Sequence, residues 1–275
     1  LESVNIPDSV TTIGNMAFTG CALKEINISK NLTEISIPGY TFSGCPAAIT
    51  VDAANPNYSA DERGVLYNKD KSLLLHCPNF EKAFTFDINC NIDQYAFYNC
   101  ANLTDVTFSY AIKKIPYAAF RNCGSLKITT VPDTVRMIDQ VAFDGCGMTE
   151  FYLPDSVEYV GTQAFSSTPL THFEFNDKVD TFKNIFSICP KLRTVVVGKG
   201  IKKIEIGALG GTNRIDTIYY RGTKSDWDKI NVVDVASALK NIKIVYNYGQ
   251  TSGVCGDNLT WSCLLYTSPS PRDCS

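Results

Sequence analysis

The stretch L-E-S-V-N-I-P-D-S-V-T-T-I-G-N-M-A-F-T-G-C, Leu1 to Cys21, recurs as L-K-I-T-T-V-P-D-T-V-R-M-I-D-Q-V-A-F-D-G-C from Leu126 to Cys146. Both stretches read L-x-x-(V/T)-x-(I/V)-P-D-(S/T)-V-x-x-I-x-x-x-A-F-x-G-C. Looser copies fill most of the chain, and the copies start at Leu1, Leu23, Leu103, Leu126, Met148, Leu170, Leu192 and Ile215. Apart from one gap after Leu23, successive starts are 22 or 23 residues apart. Self-similarity at this period is typical of a repeat protein.

Each copy has an alternating half and an irregular half. The L-x-x-V-x-I segment places apolar side chains on one face of a short strand, and the proline that follows ends the strand because it has no N–H to donate. The V-x-x-I-x-x-x-A-F segment returns over the core as irregular coil with short helical turns. We therefore predict a leucine-rich-repeat solenoid, rich in β-structure, with one short parallel strand in each 22–23-residue repeat.

Two residue types recur at fixed places in the return segments. The aromatic column consists of Phe18, Phe42, Phe97, Phe120, Phe143, Phe165 and Phe186. Three residues after six of these lie Cys21, Cys45, Cys100, Cys123, Cys146 and Cys189. Stacked phenylalanines predict a buried spine. One cysteine per repeat favours a ladder of small buried thiols, and disulfides are the alternative in an oxidising compartment.

The period breaks in two places within the solenoid, which we expect to span residues 1–248. An island at about 46–83 contains a predicted hairpin, with strands Val65 to Tyr67 and Leu73 to Leu75, and we expect it to project from the solenoid edge. A terminal cap is predicted at about 215–248. In the cap, Thr223 and Asp226 form a capping box for a short helix, and Trp227 covers the open end of the core.

Composition and motif content argue against several functions. The chain has a net charge of −3 with scattered lysines, whereas nucleic-acid binding needs clustered Lys and Arg. No run of 18 apolar residues is present, so no membrane span is predicted. Only two histidines occur, His76 and His172, and there is no phosphate loop, nucleophile elbow or zinc-ligand spacing. We expect no enzymatic activity, no catalytic residues, no metal and no cofactor.

The P-D-S-V, A-F-x-G-C, N-P-N-Y and G-T-x-x-x-W elements together resemble the BspA-type leucine-rich-repeat proteins of bacterial surfaces. The resemblance covers about Leu1 to Tyr248. It implies display at the cell surface or secretion, with a role in adhesion or in binding host proteins. It supplies no catalytic residues.

The two C-terminal segments are interpreted separately. Residues 249–262 look like the start of a following module that is cut off. Residues 263–275 resemble a translated sequencing adaptor and are taken as a non-native, disordered tail. The chain begins within the pattern, so we interpret it as a fragment without its signal peptide.

A candidate binding surface follows from the strand alternation. The third and fifth positions of each copy face outward, and neighbouring parallel strands lie about 4.8 Å apart. We therefore expect Glu150, Tyr152, His172, Glu174 and Tyr219 to form one exposed patch that binds a protein or a glycan. Tyr58 and Tyr67 on the island are the competing surface. A spacer that displays another domain, or a glycan-binding module, is the alternative function.

Overall fold

The computed structural model describes residues 2–79, 82–205, 207–208, 215–233, 239 and 241–249, and the backbone of 252–254 and 260–262. The chain forms a solenoid of stacked parallel strands with very little helix, as predicted. The main strands are Ser3–Asn5 (β1), Glu25–Ile28 (β3), Ala48–Val51 (β5), Ala83–Phe86 (β9), Asp105–Phe108 (β11), Glu150–Tyr152 (β14), His172–Glu174 (β16), Thr194–Val197 (β18), Thr217–Tyr220 (β20) and Lys243–Val245 (β22). They pair in parallel as β1-β3-β5, β9-β11 and β14-β16-β18-β20-β22.

Most repeats carry two short strands, where the sequence predicted one. The second strand forms from the V-x-x-I segment, which we had expected to be irregular. These strands are Thr12–Ile13 (β2), Glu34–Ile35 (β4), Asn91–Ile92 (β10), Lys114–Ile115 (β12), Met137–Ile138 (β13), Tyr159–Val160 (β15), Thr181–Phe182 (β17), Lys203–Ile204 (β19) and Asn231–Val232 (β21). The first residue of each is more exposed than its second, so a two-residue alternation is enough to form a ladder.

The repeat that starts at Leu126 departs from the others on the main face. The described residues there contain no main strand, and Ile128 is buried although we expected it to face outward. This break separates the sheet that ends at β11 from the five-stranded sheet that begins at β14.

The phenylalanine spine is confirmed from Phe97 to Phe165, while Phe18 and Phe42 form a separate stack before the island. The rings of Phe97, Phe120, Phe143 and Phe165 stack in order, with centroid distances of 4.8, 5.4 and 5.5 Å. All four are fully buried. The spine is also linked through the backbone, because the amide of Phe120 donates to the carbonyl of Ala142 in the next repeat, and other copies repeat this bond.

The ladder cysteines lie beside the spine as free thiols. Those described are buried, except Cys21 at the N-terminal end, which is half-buried. Cys123 Sγ donates to the Phe97 carbonyl at 3.0 Å and Cys146 Sγ to the Phe120 carbonyl at 3.0 Å. Each thiol therefore contacts the backbone of the preceding repeat, which explains why one small polarisable side chain recurs at this position.

Left-handed residues bracket the spine phenylalanine in the return turn. The residues with positive φ two places before it or two places after it are Met16, Gly20, Gly44, Tyr95, Asn99, Ala118, Asn122, Val141, Gly145, Gln163, Ser167 and Ile188. Only glycine enters this region without steric cost, and asparagine tolerates it. The glycine of the A-F-x-G-C pattern thus avoids a steric cost that Ser167 and Ile188 bear at the same position.

The island forms a β-wall across the solenoid. Tyr58–Ala60 (β6), Leu66–Asn68 (β7) and Leu73–His76 (β8) pair antiparallel, and β8 pairs in parallel with β10. The hairpin is confirmed, but it does not project from the solenoid. Leu66 and Leu75 pack into an N-terminal apolar cluster, whereas Val65 and Leu74 pack into the C-terminal one. Alternating side chains of one hairpin therefore fill two cores.

The C-terminal elements form as predicted for a cap. Lys224–Trp227 (α2) begins at Thr223, which makes the capping box with Asp226. Trp227 packs against the core with its ring 5.1 Å from that of Tyr220. A second described helix, Pro38–Thr41 (α1), lies in the second return. Beyond residue 249, Ser252–Val254 (β23) and Thr260–Ser262 (β24) pair antiparallel, and the interpretation of 263–275 lies outside the described residues.

Candidate functional site

The candidate surface lies on the outer face of the five-stranded sheet. The register places Glu150, His172, Thr194, Thr217 and Lys243 in one row across the strands. It places Tyr152, Glu174, Val196, Tyr219 and Val245 in the neighbouring row. Four of the five predicted residues thus lie on the adjacent strands β14 and β16, and Tyr219 lies two strands further along.

His172 and Glu174 are buried, which corrects the expectation that both are exposed. Their relative exposures are 8% and 6%. The His172 ring lies 5.5 Å from the Tyr152 ring, and its Nδ1 is 2.8 Å from the Thr194 hydroxyl. Strand alternation predicted the correct face of the sheet for both residues, but it did not predict that neighbouring side chains bury them.

An arginine missed by the sequence analysis anchors Glu174. Arg221, just after β20, forms an ion pair with the Glu174 carboxylate and donates from Nη1 to the Phe175 carbonyl at 3.1 Å. The same nitrogen lies 3.6 Å from Asp177 Oδ1. The pair is well shielded, with the Arg221 side chain 19% exposed. The available signal was a basic residue two places beyond the outward Tyr219.

The other three predicted residues retain surface. Glu150 is exposed, and Tyr152 and Tyr219 are half-buried. The Tyr152 hydroxyl donates to Glu150 Oε2 at 3.1 Å. The ring of Tyr219 lies 4.9 Å from that of Tyr248. Of the five predicted residues, Glu150, Tyr152 and Tyr219 therefore keep accessible surface, while His172 and Glu174 lie buried between them on the same face. Lys243, at the end of the first row, is also exposed.

The hydroxyls of both island tyrosines have hydrogen-bond partners within the protein. Tyr67 is fully buried, and its hydroxyl donates to Asp61 Oδ2 at 3.3 Å. Burial and the adjacent Asp61 carboxylate raise the pKa of Tyr67. The Tyr58 hydroxyl accepts from the Ile35 amide at 2.9 Å. Tyr67 is therefore structural, whereas Tyr58 is half-buried, so the competing surface loses one of its two aromatic anchors.

Arg63 fills a shallow cleft beside the island. It pairs with Asp61 at 2.7 Å and with Asp87 at 3.2 Å, and its guanidinium lies 4.8 Å from the centre of the Phe84 ring. These two carboxylates raise the pKa of Arg63, although burial opposes them. The charge of Arg63 is balanced by these two carboxylates, so we interpret the group as a structural ion pair.

His76 lacks the setting of a catalytic base. Its ring is fully buried, neither ring nitrogen has a hydrogen-bond partner among the described residues, and burial lowers its pKa to about 3. A general base must reach its proton donor within hydrogen-bond distance. In the described part of the chain, no cluster of three or more His, Cys, Asp or Glu residues has metal-binding geometry.

The profile of the BspA type leucine-rich repeat region matches this chain in six copies, over residues 1–82 and 90–216. The chain belongs to the BspA-type leucine-rich-repeat family. The two matched ranges are separated only by residues 83–89, which follow the island. They include the strands that carry Glu150, Tyr152, His172 and Glu174. No curated protein sequence is similar enough to count as a relative.

Solved structures agree with this BspA-type fold. The pneumococcal vaccine antigen PcpA aligns with 90% of this chain and 68% of its own, at 17% identity and a TM-score of 0.64. A leucine-rich-repeat protein from Eubacterium ventriosum aligns with 94% of this chain and 68% of its own, at 19% identity and a TM-score of 0.58. Because these sequence identities are below 20%, the similarity concerns the fold alone.

None of the helices in the described part of this BspA-type chain has the length and apolar character that crossing a bilayer requires.

Proposed function

We propose that this chain is a non-catalytic scaffold at a cell surface or in secreted form, and that it binds an extracellular protein through the outer face of β14 to β22. The observation that carries the proposal is the placement of Tyr152 and Tyr219 on strands of one rigid parallel sheet, beside the exposed Glu150. Tyrosine on a rigid backbone offers a large contact area at small entropic cost.

The buried residues between the two tyrosines support the same proposal. His172 is held by Thr194, and Glu174 is held by Arg221, so this part of the surface is fixed before a partner arrives. A preorganised surface loses less conformational entropy on binding. In this proposal, the buried His172 and Glu174 keep the sheet face in a fixed conformation. Glu150, Tyr152 and Tyr219 contact the partner.

Direct binding to purified proteins tests the proposal. The parent chain is measured by biolayer interferometry against a panel of extracellular-matrix proteins. For each protein bound, Tyr152→Ala/Tyr219→Ala is expected to weaken binding at least about tenfold, because centrally placed tyrosines dominate interface energies. The matched control is Tyr110→Ala/Tyr159→Ala, which removes two exposed tyrosines elsewhere on the solenoid and is expected to leave binding unchanged.

The island is tested separately by Glu62→Ala/Lys69→Ala, which changes exposed side chains only. Deleting the hairpin would not be informative, because Leu66 and Leu74 are fully buried. If the island variant loses binding while the sheet variant keeps it, the sheet-face proposal is wrong. If the parent binds no protein in the panel, a spacer role is favoured over a binding one.

A further inference from the structure

Four tyrosines gather on the return side of the solenoid, away from the sheet face. Tyr40 lies 5.1 Å from Tyr95 and 5.8 Å from Tyr98, measured between ring centroids. Tyr95 lies 5.4 Å from Tyr98 and 5.3 Å from Tyr117. All four are half-buried, so each ring keeps part of its surface in solvent. We call these four residues the tyrosine patch.

The patch exists because the island lets two distant repeats meet. At Gly39 in α1, an added Cβ would overlap the carbonyl oxygen of Tyr95. The side-chain Nδ2 of Asn99 donates to the Ser43 hydroxyl at 2.7 Å across the same junction. The second return therefore stacks directly on the return that follows the island, and Tyr40 is brought against Tyr95.

A polar border lines the patch. Asn122 Nδ2 donates to Asn99 Oδ1 at 2.8 Å, which continues the amide chain that starts at Ser43. The Arg121 guanidinium lies 6.0 Å from the centre of the Tyr98 ring. Arg121 Nε also pairs with Asp144 at 2.9 Å, while its side chain stays 37% exposed. The border thus offers hydrogen-bond donors and acceptors with its charge already balanced.

The phenol of Tyr95 is neutral at physiological pH. Burial and the neighbouring Tyr117 raise the pKa of Tyr95 to about 12. The surface therefore presents aromatic faces, hydroxyls and carboxamides, together with one guanidinium that a carboxylate neutralises. This composition is suited to an uncharged, hydroxyl-rich ligand with apolar faces.

We propose that the tyrosine patch binds a neutral, linear oligosaccharide. The polarised C–H groups on the face of a pyranose ring stack on the electron-rich faces of aromatic side chains, and the sugar hydroxyls bond to Asn99, Asn122 and Arg121. Tyr40, Tyr95 and Tyr117 follow one another along the solenoid at 5.1 and 5.3 Å, which is close to the length of one sugar unit. A polymer lying along the axis meets a similar group at each of these three steps.

The size of the patch favours a glycan over a protein. Standard protein interfaces cover about 800 Å² on each partner and include roughly 20–30 residues a side. The patch is four rings that pack tilted or edge-to-face on one another, with a narrow polar border, so it is smaller than such an interface. The proposal is independent of the protein-binding face, which lies on β14 to β22.

Titration with defined sugars tests the proposal. The probes are neutral hexasaccharides of β-1,4-glucose, β-1,3-glucose, β-1,4-xylose, α-1,6-mannose and β-1,4-N-acetylglucosamine, each measured by calorimetry against the parent chain. We expect at least one to bind with a Kd below about 1 mM, the range of weak but specific association. Tyr40→Ala/Tyr98→Ala is expected to raise that Kd about tenfold or more, and Tyr110→Ala/Tyr159→Ala is the matched control.

A second variant guards against misfolding of the first. Asn122→Gly removes the border amide and keeps the left-handed backbone that Asn122 adopts. It is expected to weaken sugar binding several-fold while circular dichroism and melting temperature stay near those of the parent. The proposal is overturned if none of the five probes binds, or if the parent and both patch variants bind equally. It is also overturned if the patch variants lose protein binding instead, because the patch would then belong to a protein interface.

Discussion

The imidazole ring of His76 packs against the phenyl ring of Phe42, with 5.4 Å between the ring centroids. The contact lies where the island joins the first repeats. In the backbone ladder, the amide of Cys77 donates to Ala96 just as Phe120 donates to Ala142. The island therefore keeps the register of the spine but places a neutral imidazole next to the last phenylalanine before it.

Acid should destabilise the fold through His76. Its folded pKa of about 3 lies below the ordinary value of 6.5, so the unfolded chain takes up a proton first as the pH falls. The stabilising contribution is complete above about pH 6.5 and is lost progressively between there and pH 3, at about 1.4 kcal/mol per pH unit. Urea unfolding is expected to show a loss of about 2 kcal/mol between pH 7 and pH 5.

The variant His76→Leu isolates this residue from the other titrating groups. It carries no ionisable group, so the difference in unfolding free energy between variant and parent should grow in favour of the variant as the pH falls to 5. Parallel curves for the two proteins over that range would contradict the role assigned to His76.

Removing one ring from the spine should cost much of the stability. Phe143 lies 5.4 Å from Phe120 and 5.5 Å from Phe165 and is fully buried. Phe143→Ala is expected to lower the unfolding free energy by about 3–5 kcal/mol, the range for deleting a buried aromatic ring. Tyr159→Ala, at an exposed ring, is the control and should change it by less than about 1 kcal/mol. Similar melting temperatures for both variants would show that the spine is not the core.

The left-handed turn positions predict one stabilising substitution. Ile188 has φ of 61° and is 65% exposed, so a β-branched side chain carries a steric cost without burial in return. Ile188→Gly should raise the unfolding free energy by about 1 kcal/mol. The reciprocal change Gly20→Ala, at φ of 65° with open space around it, should lower it by a similar amount. Loss of stability in Ile188→Gly would mean that the side chain contributes more than the strain costs.

The ion pair beneath the sheet face can be tested by a double-mutant cycle. Arg221→Met leaves the Glu174 carboxylate buried without this partner and is expected to cost roughly 3 kcal/mol. Glu174→Gln/Arg221→Met removes both charges, so its cost should be clearly smaller than the sum of the two single substitutions. Additive effects would show that the two side chains do not depend on each other.

Sequence periodicity was sufficient to predict the structural features that recur from one repeat to the next. Phe97, Phe120 and Phe143 recur at the solenoid period and therefore stack, and the Thr223–Asp226 capping box is a local pattern that needs no long-range information. The second strands escaped prediction because two residues, such as Lys114 and Ile115, carry too little alternation to distinguish a strand from coil.

Features that depend on contacts between repeats with different sequences could not be predicted. Arg221 closes over Glu174 from two strands away, which no spacing within a single copy indicates. Tyr40 meets Tyr95 only because the island is a transverse wall, and an insertion of that length looks the same in sequence whether it projects or packs inward. Burial of Leu66 on one side of the wall and Leu74 on the other is decided by what stacks against each face.

The β-wall also has a mechanical consequence. Its hairpin separates an N-terminal apolar cluster, which includes Ile26 and Phe42, from the larger cluster that continues through Phe97 to the cap. The main-strand ladder is interrupted at the same place, because β5 and β9 belong to different sheets. Neither of the described strand ladders continues across this plane, whereas β12, β13 and β15 stay paired across the break before β14. The solenoid is thus expected to lengthen in two separate force steps, with the N-terminal repeats yielding as one unit while the remainder still bears load.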